Sequence, residues 1–290
     1  MIAVMGAAGN VGSRVTGLLL GRGRPVRVLE HRRKLDTLGA RGAEVVTGDL
    51  ADPGDLGVLL KDVEAALVLL PDVVIDPEFT ATRSRRSRAI ADALAWSDVR
   101  QVVALSTVAA GQAGATGPAA GLRELEQRLS GLQGTGVLVL RSPFYMENLL
   151  AGLPLIQAQG INGSAIDGDL ELPMIATGDV AREAAQGLLH REPGGHRVRL
   201  LVRPEDVSLR AATQAIGRRL GRPELPYVQF PPDALRGALL GAGLSEEGAA
   251  AMVELQLALN RQRSFRAVRD AADVTTPTRL EEFLDQAVPA

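Results

Sequence analysis

Short apolar runs alternate with longer amphipathic segments over the first 140 residues of the chain. The apolar runs are 2–5, 26–29, 44–46, 65–70, 102–105 and 137–140, and most of their residues are Val, Leu, Ile or Ala. Such runs are typical of strands that are buried on both faces of a parallel sheet. The segments between them, 11–20, 35–41, 54–60, 78–96 and 122–132, are long enough for crossover helices. This alternation predicts an α/β fold with a doubly wound parallel sheet.

The pattern changes after Arg141. Residues 142–179 are rich in glycine and proline and are predicted to be mostly loop. Beyond them, 179–190, 207–220, 233–241 and 245–263 are predicted helices, and 198–202 is a predicted strand. We therefore expect a sheet domain over 1–150 and a smaller, mainly helical C-terminal lobe over 151–290, within one structural unit.

A glycine-rich turn follows the first predicted strand. It reads Gly6-Ala7-Ala8-Gly9-Asn10-Val11-Gly12 and leads into a predicted helix, which is the context of a dinucleotide-binding turn. Gly6 allows a sharp turn, Gly9 lets backbone N–H groups approach a pyrophosphate, and Gly12 allows close packing of the helix. We predict that the cofactor contacts here are Gly6, Ala8, Gly9, Asn10, Val11 and Gly12.

The spacing Gly-x-x-Gly-x-x-Gly is that of short-chain dehydrogenases. The chain resembles the NmrA-like family of atypical short-chain dehydrogenase/reductases from residue 1 to about 260. The resemblance rests on this glycine spacing and on the stretches 25–29, 42–50, 138–149, 173–174, 178–181 and 220–222. The resemblance implies a Rossmann-like NAD(P)-binding domain over 1–150 and a substrate-side lobe over 151–290. It also implies a reductase of the quinone or azo type.

The end of the second predicted strand bears on the choice of dinucleotide. A carboxylate such as Glu30 suits the ribose hydroxyls of NAD, whereas an arginine such as Arg32 or Arg33 suits the 2′-phosphate of NADP. The resemblance implies an arginine where His31 stands, in enzymes that mostly use NADP. We favour NADP(H) over NAD(H) and count all four residues as cofactor contacts; the alternative is a solvated turn.

Other strand ends supply further candidates. The resemblance implies that Asp49 and Leu50 border the adenine and that Leu70 and Pro71 border the nicotinamide ribose. Ser106 ends the fifth predicted strand, where open α/β sheets place ligand contacts.

Candidate catalytic residues are Ser106 and Thr107, whose hydroxyls can hold an acceptor oxygen, and Tyr145, the expected hydrogen-bond donor. For the two hydroxyl residues the alternative is a capping role. The resemblance places Phe144, Tyr145 and Asn148 on the substrate side.

Lysine is scarce in this chain. Among 32 basic residues only Lys34 and Lys61 are lysines. The Tyr-x-x-x-Lys pair of short-chain dehydrogenases, in which lysine lowers the pKa of tyrosine, is broken because Leu149 follows Tyr145. The lysine that the NmrA-like resemblance implies is replaced by Leu122, and the adjacent Arg123 points elsewhere around the helix.

Three functions remain compatible with these residues. The first is an NAD(P)H-dependent oxidoreductase that passes hydride to a small quinone, azo or enone acceptor without a Tyr-Lys proton relay. The second is a catalytically silent, NADP-binding redox sensor that reports to a protein partner. The third is a specialised biosynthetic reductase or isomerase.

Composition excludes several other classes of protein. There is no cysteine, which removes disulfides and thiol nucleophiles, and no metal site is expected. The net charge of −2 and 3% aromatic residues argue against a nucleic-acid partner. No apolar run is long enough for a membrane helix, so we expect a cytoplasmic protein that acts on a small-molecule acceptor and allows a homodimer.

Four polar features receive structural interpretations. The arginines at 83, 85, 86 and 88 are predicted to lie on a solvated helix face. Arg141 is expected to brace a loop, and Asp179 to cap a helix. His190 and His196 flank a Pro-Gly-Gly turn and are expected to be exposed.

Overall fold

The computed structural model describes residues 1–30, 36–112, 114–190, 195–203 and 205–288, without the side chains of Glu30 and Asp36. Within these residues, none of the helices combines the length and hydropathy that are needed to cross a membrane.

Strands and helices alternate through the first half of the chain. The strands are β1 (Ile2–Met5), β2 (Val26–Glu30), β3 (Glu44–Thr47), β4 (Ala65–Val68), β5 (Gln101–Thr107) and β6 (Gly136–Ser142). The helices are α1 (Asn10–Leu20), α2 (Asp36–Ala40), α3 (Pro53–Leu60), α4 (Phe79–Ala95) and α5 (Pro118–Leu129), and a 3₁₀ turn covers Val108–Gly111. Every strand and helix predicted up to residue 140 is present, with bounds that shift by a few residues.

The second half mixes helices with short strands. The strands are β7 (Phe144–Tyr145), β8 (Asn162–Ser164), β9 (Glu171–Ile175), β10 (Gly195–Val202), β11 (Asp206–Ser208), β12 (Tyr227–Gln229) and β13 (Val274–Thr275). The helices are α6 (Leu153–Gln159), α7 (Thr177–Leu189), α8 (Leu209–Arg219), α9 (Pro232–Gly241), α10 (Glu246–Arg261), α11 (Arg266–Asp270) and α12 (Leu280–Ala287), and a 3₁₀ segment covers Met146–Gly152.

The expectation of a loop over 142–179 was wrong. This segment contains β7, β8, β9 and α6, because residues far away in sequence complete its strand pairs. β8 pairs in parallel with β12, and β9 lies between β7 and β11. Short strands of this kind have too few residues to show a period of two.

Eight strands form one parallel sheet. Their order is β13-β10-β6-β5-β4-β1-β2-β3, so β1 lies in the interior and the chain winds outward from it in both directions. Ile2 in β1 lies beside Val26 in β2 and Ala65 in β4. The predicted doubly wound α/β fold is confirmed. The C-terminal lobe returns to this sheet through β10 and β13.

Two apolar layers cover the two faces of the sheet. Successive side chains of a strand point to opposite faces. Ile2 and Val4 therefore pack in the layer under α1 and α7, whereas Ala3 and Met5 pack in the layer under α3, α4 and α5. A third cluster, centred on Met174 and Ile216, lies under the C-terminal helices. Burial on both faces explains why the interior strands β1, β4, β5 and β6 lack an apolar–polar alternation, whereas the edge strand β3 is mostly exposed.

Asp179 joins α7 to the C-terminal segment. It is 2% exposed, and its carboxylate accepts hydrogen bonds from the backbone N–H and hydroxyl of Thr278 at 3.2 and 2.9 Å. The capping role expected for it was wrong, because α7 begins after Ala176. The Glu147 carboxylate accepts the first N–H of the helix instead, from Thr177 at 3.1 Å.

Asp179→Ala is expected to lower the free energy of unfolding by about 1–3 kcal/mol, since it leaves the partly buried donors of Thr278 without an acceptor. Asp98→Ala, at an exposed position, is the control and is expected to change stability by less than about 0.5 kcal/mol. Urea unfolding measures both. Equal stability of the two variants would contradict the anchoring role.

Candidate functional site

A cleft of about 660 Å³ opens at the carboxyl ends of the parallel strands. The turns after β1, β3 and β4 and the last residues of β2 and β5 form its walls, and α4, α5, β7 and α7 each add one side chain. In open α/β sheets this edge is the general place for ligands. Its described lining is Gly6, Ala8, Gly9, Asn10, Val11, Gly12, Leu29, Asp49, Leu50, Leu69, Leu70, Pro71, Asp72, Val73, Arg86, Leu105, Ser106, Leu122, Tyr145 and Thr177.

The glycine turn has the geometry that its sequence predicts. Gly6 has a φ of +65°, a left-handed conformation that favours glycine. A Cβ on Gly12 would stand 2.2 Å from the Gly6 carbonyl oxygen, so the helix can approach the turn only without a side chain there. A Cβ on Gly9 would have the Gly6 carbonyl oxygen as its nearest neighbour, at 3.4 Å, and it would project into the cleft.

No side chain caps the N-terminus of α1 in the described structure. Gly9 is the N-cap residue, and the first residues of the helix, Asn10, Val11 and Gly12, line the cleft. The first N–H groups of a helix lack partners within the helix and carry a partial positive charge. This end of the cleft therefore suits the negative charge of a pyrophosphate.

Most of the predicted contacts lie together in the cleft. Besides the glycine turn these are Asp49, Leu50, Leu70, Pro71, Ser106 and Tyr145. Three predicted residues do not line it. Thr107 continues into the 3₁₀ turn, Phe144 packs against the third apolar cluster, and Asn148 is exposed. His31, Arg32 and Arg33 lie outside the described residues, as does the side chain of Glu30.

The hydroxyl proton of Ser106 is already used in a hydrogen bond within the protein. Its hydroxyl donates to the Glu126 Oε1 at 2.5 Å, and Arg141 binds the same carboxylate through Nε at 3.1 Å and Nη2 at 2.6 Å. Glu126 is only 6% exposed, so both partners compensate a buried charge. Ser106 therefore offers lone pairs to the cleft rather than a proton. Arg141 braces Glu126, in line with the supporting role expected for it.

Tyr145 is a weak acid in this site. Burial raises the pKa of its phenol to about 12, with a further rise from the Glu147 charge, while the Ser142 side chain acts in the opposite direction. The phenol therefore stays protonated near neutral pH and can donate a hydrogen bond. Leu122 lines the same cleft, whereas Arg123 donates to the Gln112 carbonyl at 2.6 Å.

Two arginines of α4 are buried, which corrects the solvated face expected for this helix. Arg83 and Arg86 are 3% and 9% exposed, while Arg85 and Arg88 face solvent. The helical period of 3.6 residues could have predicted this burial. Positions 79, 83, 86 and 90 share one helix face, and two of them are the apolar, buried residues Phe79 and Ile90.

Arg83 ties three segments together beside the cleft. Its guanidinium donates to the Pro118 carbonyl at 2.8 Å and the Pro71 carbonyl at 3.3 Å, and it pairs with Asp72. It also lies 5.3 Å from the centroid of the Phe79 ring. Arg83 thus fixes the turn after β4 against the start of α5.

Alanine substitutions at two glycines of the turn test its role in folding and its role in binding separately. Gly12→Ala is expected to lower stability by about 1–3 kcal/mol, because backbone atoms must shift to admit the methyl group. Gly9→Ala is expected to fold normally and to weaken dinucleotide binding about tenfold or more, because its methyl group stands in the cleft.

Gly57→Ala is the control. This residue is exposed in α3, and no atom lies within 4 Å of the place that a methyl group would take, so alanine is expected to stabilise the protein by about 0.4–1 kcal/mol. Thermal unfolding and a titration that follows dihydronicotinamide fluorescence measure the three variants. Wild-type affinity in Gly9→Ala would contradict the assignment of the turn.

Comparison with known proteins finds similarity to proteins that are described as NAD(P)H-binding or NAD(P)H-dependent. Residues 6–129 match a family model described as NAD(P)H-binding. An NAD(P)H azoreductase from Xenophilus azovorans is 29% identical over 259 residues, which cover 88% of this chain and 86% of the relative.

Two solved structures have the same fold over nearly the whole chain. An NADPH-dependent quinone oxidoreductase of Escherichia coli, in complex with NADPH, has a TM-score of 0.77 at 21% identity and covers 99% of both chains. The triphenylmethane reductase of Citrobacter sp., in complex with NADP(H), has a TM-score of 0.75 at 19% identity and covers 99% of this chain and 100% of the other. Residues 6–129 thus resemble an NAD(P)H-binding domain, and the chain is similar to the azoreductase over most of its length, which is consistent with the resemblance to the NmrA-like atypical short-chain dehydrogenase/reductases.

Proposed function

We propose that this protein is an NAD(P)H-dependent reductase that transfers hydride to a small organic acceptor of the quinone, azo or enone type. The observation that carries the proposal is the continuity of the cleft. It runs from the uncapped N-terminus of α1 to Ser106, Leu122 and Tyr145, so one cavity has a place for a pyrophosphate and a place for a reacting pair of rings. The activities named for the relatives agree with this assignment.

The residues of the cleft fit a nicotinamide dinucleotide. The turn from Gly6 to Gly12 would hold the pyrophosphate, with Asp49 and Leu50 at the adenine and Leu70 and Pro71 at the nicotinamide ribose. When bound, the nicotinamide supplies the hydride. Ser106, whose lone pairs face the cleft, would accept a hydrogen bond from the carboxamide or from a ribose hydroxyl.

We favour NADP(H) over NAD(H). A second cavity, of about 670 Å³, lies behind the glycine turn and shares Ala8 with the cleft. Its lining includes Arg14, Arg41 and Arg182, which can pair with a phosphate near the adenosine ribose. Arg32 and Arg33 are proposed contacts of the same kind, together with Glu30 and His31.

Hydride transfer here would proceed without a Tyr-Lys proton relay. Leu149 stands where the lysine of a Tyr-x-x-x-Lys pair would lower the pKa of tyrosine, and Leu122 stands where the family resemblance implies a lysine. The Ser106 hydroxyl donates its hydrogen bond to Glu126, and the pKa of Tyr145 is raised. A quinone that accepts hydride becomes a hydroquinone monoanion, which takes its proton from water or from Tyr145 as a weak donor. The acceptor must therefore be easily reduced, and the protein mainly positions the two rings.

Most of the cleft is built by residues 1–150, the proposed cofactor domain. Of residues 151–290, Thr177 reaches the lining, and its hydroxyl donates to Glu147, next to Asn148. The C-terminal lobe thus supports the substrate side at this point. Roles for Thr107, Phe144 and Asn148 in acceptor binding are proposed from their place beside Ser106 and Tyr145.

Fluorescence titration with NADPH and NADH tests the cofactor. We expect both to bind and NADPH to bind more tightly. Arg41→Ala is expected to weaken NADPH about tenfold and to leave NADH unchanged, because it removes a charge near the 2′-phosphate. Arg88→Ala, on the exposed face of α4, is the control. Failure of the wild-type protein to bind either nucleotide would overturn the proposal.

Tyr145→Phe tests the proton supply. With a triarylmethyl cation, which hydride alone neutralises, we expect a rate within about twofold of wild type. With a quinone we expect a loss of about three- to tenfold, because water replaces a weak donor. A loss of about 100-fold or more with the quinone would show obligatory general-acid catalysis. Tight NADPH binding without turnover of any acceptor would favour the redox sensor.

The pH dependence gives a separate check. Because the pKa of Tyr145 is raised to about 12, its proton is lost only as pH rises toward that value. Quinone reduction is expected to be flat between about pH 6 and 9. Leu122→Lys adds a cation to the wall of the cleft that Tyr145 also lines. The cation is expected to lower the pKa of the phenol and to make the rate fall with rising pH. Leu122→Met is the matched control and is expected to keep the flat profile.

A further inference from the structure

A charged pair lines one end of the cleft. Arg86 projects from α4, and its Nε lies 3.5 Å from the Oδ1 of Asp49, the second residue after β3. That distance is long for a hydrogen bond. Arg86 is nine-tenths buried, and its Nε has no hydrogen-bond partner among the described residues. A buried guanidinium donor of this kind is costly unless a ligand completes its contacts.

The strand order places this pair at the adenosine end. The glycine turn follows β1, and β2 and β3 lie on one side of it while β4, β5 and β6 lie on the other. In dinucleotide-binding sheets the residue after the second strand contacts the adenosine ribose, so the base lies toward β3. Leu29 and Leu50 line the same end of the cleft and offer apolar faces to a flat ring.

The pair is better suited to a base than to a phosphate. Asp49 lies beside Arg86 and would repel an anion that approached the guanidinium. Arg83, the other buried cation of α4, is directed to Asp72 and to the Pro71 and Pro118 carbonyls. An acceptor and a donor side by side complement the Watson–Crick edge of adenine, which presents an amino donor next to the N1 acceptor.

We propose that Arg86 is an adenine-recognition residue that acts together with Asp49. Asp49 accepts a hydrogen bond from the exocyclic amino group, and Arg86 donates to the ring nitrogen beside it. The inference rests on the proposed binding of NAD(P)H. To that proposed function the inference adds a residue on α4 that recognises the adenine base and does not contact the phosphates or the nicotinamide.

The hypoxanthine analogue of NADPH tests this directly. It carries a carbonyl oxygen in place of the amino group and an N–H at N1, so its donor and acceptor are exchanged relative to adenine. Binding is followed by dihydronicotinamide fluorescence, a readout that needs no turnover. The wild-type protein is expected to prefer NADPH over the analogue by about tenfold or more, because both side chains then face the wrong partner.

Arg86→Met removes the donors and keeps the length of the side chain. We expect it to weaken NADPH about tenfold and to bind NADPH and the analogue within about threefold of each other. Arg88→Met, on the exposed face of the same helix, is expected to keep both wild-type affinities. If Arg86→Met does not fold, Arg86→Lys retains the charge without the planar donor set and is expected to lose most of the discrimination.

Each outcome separates this inference from the proposed function. If neither nucleotide binds the wild-type protein, the cofactor assignment fails. If both bind and Arg86→Met keeps the wild-type preference for adenine, Arg86 does not read the base. An equal weakening of both nucleotides, with the preference retained, would also overturn the inference, because it would assign Arg86 to the phosphates or to the shape of the cleft.

Discussion

The close approach of α1 to the glycine turn is the constraint on which the site depends. A single methyl group on Gly12 would fall 2.2 Å from the Gly6 carbonyl oxygen, which accepts a hydrogen bond from the Gly9 N–H at 3.0 Å. With no side chain at Gly12, the N-terminus of α1 comes directly against the end of β1. The helix then packs on its far side against α7 in one apolar layer. The fold and the anion-binding end of the cleft therefore share one backbone contact.

Buried charges shape the rest of the cleft. Glu126 holds Ser106 and Arg141, and Arg83 holds the turn after β4 against α5. Each pair is costly to bury, and the surrounding hydrogen bonds offset that cost and favour one geometry. The result is a site whose polar groups are largely occupied with one another. Such a site positions rings more readily than it supplies protons, which agrees with the apolar Leu122 in its wall.

The sequence was sufficient to predict those features that depend on residues close together along the chain. Strands buried on both faces are continuous apolar runs, so β1, β4, β5 and β6 were predicted with nearly correct bounds. The short apolar runs also located β2 and β3, although β3 is mostly exposed. The turn from Gly6 to Gly12 carries its own backbone requirements within seven residues. The contact at Ser106 follows because the ends of parallel strands meet at one edge, whereas those at Asp49 and Leu70 were implied by the family resemblance. The family resemblance marked Leu122 as the position of an expected lysine, and the structure finds this leucine in the wall of the cleft.

Only the tertiary structure decided features that depend on partners distant in sequence. The short strands of 142–179 exist because β11 and β12 pair with them, and Asp179 is buried because Thr278 returns to it. The spacing of Phe79, Arg83 and Arg86 places them on one face of α4, which indicates a buried face. The charge of the two arginines nevertheless favours the prediction that they are exposed to solvent. Burial of those arginines is determined by the carbonyls and carboxylates that surround them. The sequence by itself thus determined the sheet, the glycine turn and the lack of a lysine at positions 122 and 149. Three-dimensional packing determined which polar groups face the cleft, because those contacts join segments that no local pattern connects.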